Sequence, residues 1–216
     1  MRAALPLLAA ALLLTACGNK PRQPDWLVNA DGAQDRYQRA YLSGNERVAA
    51  SEFTRFRNEV SSTANPALAA RAELTRCAMQ VASLDFEPCT GFEPLRADAT
   101  DAERAYADFL AGRITPEQVK LLPEQYRGVA GGASGGDALG DIKDPVSRVV
   151  AAGVLLRMGR ADPQALVVAT DTASGQGWRR AVLAWLGARA MRAEQAGAVA
   201  EAQALRRRME IAAGER

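Results

Sequence analysis

The chain has 216 residues, of which 48% are hydrophobic and 24% are charged, and it contains no histidine. Its 27 basic and 25 acidic residues give a formal charge of +2, a balance that offers no electrostatic basis for nucleic-acid binding. Without histidine, the usual catalytic triads and imidazole metal sites are excluded. We therefore predict no catalytic residue, no metal site and no cofactor.

The N-terminus predicts export from the cytoplasm. Arg2 precedes an apolar stretch, Ala3–Leu14, which is too short to span a bilayer core that needs about 20 residues. The next residues, Leu14-Thr15-Ala16-Cys17, resemble the lipobox of bacterial lipoproteins at all four positions. Residues 1–16 are thus the predicted signal peptide.

The lipobox resemblance implies a membrane anchor. It implies cleavage before Cys17 and acyl chains, typically palmitate, on that residue, and two or three chains give stable attachment. Gly18 follows the cysteine where an aspartate would mark inner-membrane retention, so we expect the outer membrane, periplasmic face. The chain as a whole is similar to proteobacterial envelope lipoproteins, which implies no activity. The alternative is a secretory signal with a chance cysteine.

Capping signals predict an all-α fold. A capping residue precedes proline at positions 65, 115, 144 and 162, and glycines at 44, 112, 159 and 197 fall where helices would end. No segment alternates as a strand, and the apolar run 149–156 suits a central core helix. The predicted helices cover residues 31–43, 45–62, 66–84, 100–111, 116–122, 145–158, 163–172, 177–196 and 198–213.

Composition divides the mature chain into two units. Residues 17–30 are predicted to be a lipidated N-terminus and tether, followed by an N-terminal helical unit at 31–127. Residues 128–141 are rich in glycine and read as a mobile linker to a C-terminal helical unit at 142–216.

Cys77 and Cys89 remain once the anchor is set aside. The periplasm is oxidising, so this pair predicts a disulfide, which would stabilise the fold by about 3 kcal/mol on the chain-entropy model. A two-thiolate metal site is the alternative, although such sites normally need further ligands. The disulfide would make the loop around Cys89 rigid.

A second resemblance concerns helix packing. Gly44-Asn45, followed by Ala49 and Phe53, looks like the turn and second helix of a tetratricopeptide repeat. A weaker match begins at Leu186-Gly187. A generic helical hairpin explains both almost as well.

The last two predicted helices carry apolar faces that we expect to pack together. One face has Trp178, Val182 and Trp185, and the other has Val199, Ala202, Leu205 and Met209. Trp185 is therefore a predicted core residue.

These observations favour a scaffold or adaptor that binds an envelope protein or peptide, without catalysis; no binding residue is assigned. The alternative is a murein-active, glycan-cleaving enzyme that uses the loop carboxylates Asp85, Glu87 and Glu93. Residues 132–136 formally match the G-x-S-x-G nucleophile motif, but no strand precedes them and no histidine base exists.

Overall fold

Side-chain caps set the start of several helices. The computed structural model describes residues 22–214. The side chains of Asn65, Asp144 and Asp162 each accept a hydrogen bond from a backbone N–H in the first turn of the helix that follows. Thr100 and Glu103 cap each other reciprocally. These bonds satisfy amides that a helix leaves without partners, so the predicted starts are confirmed at these four positions.

Within residues 22–214 the structure has ten α-helices, two 3₁₀ helices and no β-strand. The α-helices are α1 (Asp25–Leu42), α2 (Glu46–Ser61), α3 (Pro66–Ala82), α4 (Asp101–Leu110), α5 (Glu124–Ala130), α6 (Gly135–Gly140), α7 (Pro145–Arg157), α8 (Pro163–Gly175), α9 (Arg179–Gln195) and α10 (Val199–Ala213). The 3₁₀ helices are Glu93–Leu95 and Pro116–Leu121.

Neighbouring helices pack as hairpins. The most extensive interfaces are those of α1 with α2 and of α9 with α10. The turns that follow α1 and α9 contain Gly44 and Gly197, both with positive φ, which only glycine adopts without strain. Between these hairpins, α3 packs on α4 and α7, and α8 packs on α7 and α9. The predicted all-α fold with helical hairpins is confirmed.

The core lies where α3 meets α7. Eight of the 13 residues of α7 are buried, as predicted for a central helix. Its Gly153 lies against α3, because a Cβ built there would stand 2.3 Å from the carbonyl oxygen of Val81. The two backbones therefore touch, which explains a glycine in the middle of a buried helix.

The predicted tether is shorter than expected, because α1 begins at Asp25 and residues 25–30 are helical. Trp26, Ala30 and Ala33 share one face of α1 and pack on Phe56 of α2. Burial of this apolar face stabilises the helix over residues 25–30, which were predicted to belong to the tether. The predicted anchor residue Cys17 and the predicted signal peptide lie outside the described residues.

The prediction of a mobile linker at residues 128–141 is wrong. This stretch contains the end of α5 and all of α6, and Leu139 is completely buried. Gly135 and Gly136 pack on the start of α8, where added Cβ atoms would lie 2.4 and 2.3 Å from side-chain atoms of Asp162 and Gln164. The glycines thus permit close packing. One core cluster draws residues from both predicted units.

Trp185 is a core residue as predicted, but it faces the other way. It is fully buried in the main cluster, and its Nε1 donates to the carbonyl oxygen of Ala82 at 3.0 Å. Leu186, not Trp185, packs with Ala202 and Leu205 of α10. Val199, predicted to pack there, is 62% exposed because it occupies the first position of α10.

Candidate functional site

Three buried glutamates fix the relative positions of the first four helices. Each lies on one helix and pairs with an arginine of the helix before it. The pairs are Arg36–Glu52 at 2.9 Å, Arg57–Glu73 at 3.1 Å and Arg71–Glu103 at 2.7 Å. We call this series the ion-pair ladder. Because an unpaired buried carboxylate is costly, the ladder favours one arrangement of these helices.

A groove runs along the surface formed by α1, α3, α4, α5 and α7, together with the 3₁₀ helix that precedes α5. It consists of two adjoining hollows, with volumes of about 460 and 350 Å³. The hollows share four lining residues, Gln34, Thr75, Tyr106 and Pro123, and so form one continuous depression. We call this depression the amide groove.

Carboxamide side chains give the amide groove its name. Gln34 and Gln38 of α1 line one side, one helical turn apart, and Gln125 of α5 lines the other. Their amides have no hydrogen-bond partner within residues 22–214. A carboxamide both donates and accepts, so it can match the N–H and C=O groups of a polypeptide backbone.

The floor of the amide groove is apolar and firmly held. Leu74 and Tyr106 contribute apolar surface, and the rings of Tyr106 and Tyr126 stack with centroids 5.6 Å apart. Burial raises the pKa of both tyrosines, whose hydroxyls form a hydrogen-bonded row with Ser147. The floor therefore stays neutral and protonated near pH 7. Apolar floor and polar sides together suit an extended peptide.

Charge in the amide groove is confined to its two ends. The Arg71–Glu103 pair lines one hollow and Asp144 lines the other. Burial opposes ionisation of Glu103, but hydrogen bonds from Thr100 and Arg71 outweigh it and lower the pKa of Glu103 below its ordinary value. Both carboxylates are already committed to helix caps, so neither is free to act as a base.

Cys77 and Cys89 form a disulfide in the structure, with Cα atoms 5.7 Å apart. Cys77 lies on α3 and Cys89 in the loop that follows it, so the bond ties this loop to α3. The loop also packs closely on α3 at Gly91, because a Cβ at this position would lie within 3 Å of side-chain atoms of Glu73 and Arg76.

The loop carboxylates surround only a small cleft of about 150 Å³, lined by Glu87 and Glu93 but not by Asp85. Arg96 donates two hydrogen bonds of 2.9 Å to Glu93, and these lower the pKa of that carboxyl. A glycosidase acid needs the opposite shift, because it must hold a proton near neutral pH. The position and pKa of Glu93 therefore match a loop held by a salt bridge better than they match the acid of a glycosidase.

Metal-ligating side chains do not cluster in the described part of the chain: no three of its cysteine, aspartate or glutamate residues come close enough to hold an ion. Across residues 22–214, no helix has the length and hydropathy needed to cross a membrane. Comparison of the whole chain with protein-family models, with curated proteins and with solved structures finds no match.

Sequence reasoning assigned no binding residue and missed the amide groove. Gln34 and Gln38 stand four residues apart on α1, a spacing that places them on one helix face. Gln125 lies far along the chain, and only the packing of α5 brings it to the same groove. The spacing of Gln34 and Gln38 could have been recognised in the sequence, whereas the position of Gln125 on the opposite side of the groove could not.

Proposed function

We propose that this protein is a lipid-anchored envelope adaptor whose amide groove binds an extended segment of another envelope protein. One observation carries the proposal: a continuous groove with an apolar floor has unpartnered carboxamides on both sides. Backbone amides need partners when they leave water, and these side chains supply both donors and acceptors. Arrays of helical hairpins commonly present such surfaces.

The anchor supports a location at the periplasmic face of the outer membrane. If Cys17 is acylated, residues 18–24 are the only chain between the lipid and α1. Seven extended residues reach at most about 25 Å, so the folded part is held close to the membrane. The partner segment is therefore one that comes near the membrane surface.

Labelled palmitate tests the anchor. The wild-type chain should incorporate the label and sediment with outer membranes, whereas a Cys17→Ser variant should do neither. A matched control, Cys89→Ser, changes a cysteine outside the lipobox and should still be labelled. Equal labelling of wild type and Cys17→Ser would contradict the proposal.

Site-specific photo-crosslinking in cells tests the groove. A photoreactive residue at Gln38 or Gln125 should give the same discrete crosslinked band, because both positions face one bound segment. Ile211 on α10 is 64% exposed and lies outside the groove, so it serves as the control. The proposal fails if the groove positions give no band beyond that of the control.

A further inference from the structure

A second pocket lies between α1, α2, α3 and α9, away from the amide groove. Its volume is about 330 Å³, within the range of small-molecule sites. It has no lining residue in common with the groove. Its walls are mainly aromatic and aliphatic, with two arginines, and they include Tyr41, Ala49, Ala50 and Phe53. We call it the aromatic pocket.

Aromatic rings hold both arginines of the aromatic pocket in place. The Arg180 guanidinium lies 4.3 Å from the ring centre of Tyr41. The Arg76 guanidinium lies 5.5 Å from the ring centre of Phe53. Stacking of this kind orients a guanidinium. Arg76 also pairs with the buried carboxylate of Glu73 at 2.9 Å. Arg180 also pairs with Glu46, but that carboxylate is 84% exposed, and such surface pairs are weak.

Two buried donors in this pocket have no partner. The hydroxyl of Tyr37 and the Nε of Arg76 form no hydrogen bond within the described part of the chain, although both atoms are buried. Tyr37 itself is only 2% exposed. Burial raises the pKa of Tyr37, so its hydroxyl remains a donor at neutral pH. An unsatisfied buried donor is destabilising, so the Tyr37 hydroxyl calls for an acceptor, whereas the guanidinium of Arg76 already contacts the buried carboxylate of Glu73 at 2.9 Å.

We propose that the aromatic pocket binds the carboxylate of a small organic acid with an apolar body. The charged groups in and directly beside its lining are Arg57, Arg76 and Arg180 against Glu46 and Glu73, a net charge of +1 that suits a monoanion better than a phosphate. The carboxylate accepts from Tyr37 and the two lining arginines, and the apolar body packs against Phe53 and Tyr41. A free acid and the C-terminal residue of a peptide share this chemistry.

Calorimetric titration of the purified full chain tests the proposal with three probes. They are 4-methylpentanoate as a free acid, N-acetylalanyl-leucine as a peptide terminus, and the C-terminal amide of that peptide. Binding of either acid, with the amide at least tenfold weaker, supports the pocket and identifies the source of the carboxylate. Equal binding of acid and amide, or no binding of any probe at 10 mM, overturns it.

A Tyr37→Phe variant tests the donor directly. It removes a hydroxyl that has no partner, so the protein should fold and melt at least as well as the wild type. The dissociation constant of the acid should rise about tenfold, as expected for losing one hydrogen bond to a charged group. Ser83→Ala removes another buried hydroxyl that has no partner in the described part of the chain; because Ser83 lies outside both the pocket and the groove, this variant should leave acid binding unchanged. Unchanged binding by Tyr37→Phe would overturn the assignment.

Discussion

The two halves of the fold are both all-helical, yet different forces hold their helices together. In α1–α4, buried carboxylates lie at the interfaces, and the ion-pair ladder of Glu52, Glu73 and Glu103 joins each helix to the one before it. In α7–α9 the interfaces are apolar and rich in small residues, with Gly153 in backbone contact with α3.

This difference bears on where the amide groove and the aromatic pocket lie, and a separate hollow of about 570 Å³ lies between α9 and α10. Small side chains let α7, α8 and α9 approach closely and fill the core. The larger polar pairs of α1–α4 hold their helices in fixed positions, and both the amide groove and the aromatic pocket are lined by residues of α1 and α3. Paired charge thus positions the helices that line the amide groove and the aromatic pocket.

Trp185→Ala should have the largest effect, because this fully buried side chain joins α9 to α3. Removing it leaves a cavity and an unpaired carbonyl at Ala82, so unfolding free energy should fall by about 3–5 kcal/mol in a urea titration. Trp185→Phe keeps most of the packing and should lose less. A loss below 1 kcal/mol for the alanine variant would show that the two halves do not share a core.

Gly153→Ala should destabilise by about 1–3 kcal/mol, since the new methyl group meets the backbone of Val81. Gly128→Ala is the control, because a Cβ there meets no atom within 4 Å. Thermal melting compares the two. If both variants melt like the wild type, α7 and α3 are not in backbone contact.

Glu103→Gln should destabilise by about 1–2 kcal/mol at pH 7, because it weakens a capping box and a buried ion pair. Hydrogen bonds hold the pKa of Glu103 below its ordinary 4.5, so its stabilisation is complete above that pH. As pH falls through the lowered pKa, the carboxylate of the folded protein takes up a proton and the stabilisation is lost.

Urea titrations at pH 7 and pH 3 check this dependence. The difference between wild type and Glu103→Gln should shrink at the lower pH, whereas the loss in Gly153→Ala should stay constant. A difference independent of pH would mean that the ladder acts through packing alone.

Arg206→Gln should have the smallest effect, no more than about 0.5 kcal/mol. Its partner Glu194 lies on α9, and both side chains are largely exposed to solvent. Screening by 0.5 M salt should remove even this difference in melting temperature. A larger loss would show that charge, as well as apolar packing, holds the C-terminal hairpin.

Local chemistry made much of the fold predictable. Asp144 before Pro145 and Asp162 before Pro163 start helices as their side chains indicate, and the apolar run from Val149 forms the core helix. The prediction for the glycines of residues 128–141 was wrong because glycine is typical both of flexible linkers and of closely packed helices. Only the neighbours Asp162 and Gln164 distinguish the two, and they come from a distant helix.

The site was far less predictable than the fold. Its parts come from α1, α3, α4, α5 and α7, and no local pattern joins them. The buried ladder glutamates resemble ordinary solvated charges in the sequence. Helical periodicity likewise does not decide whether Trp185 packs on α3 or on α10, since both helices lie beside α9.

The most direct test of the amide groove is to map which partner residues are joined to each of its ends. Photoreactive residues at Ala102, in one hollow, and at Gln125, in the other, are crosslinked in cells and the adducts sequenced. A bound extended segment predicts that both positions capture one partner, at two sites a few residues apart in a single stretch. Capture of unrelated proteins by the two ends, or of partner sites far apart in sequence, would contradict the account.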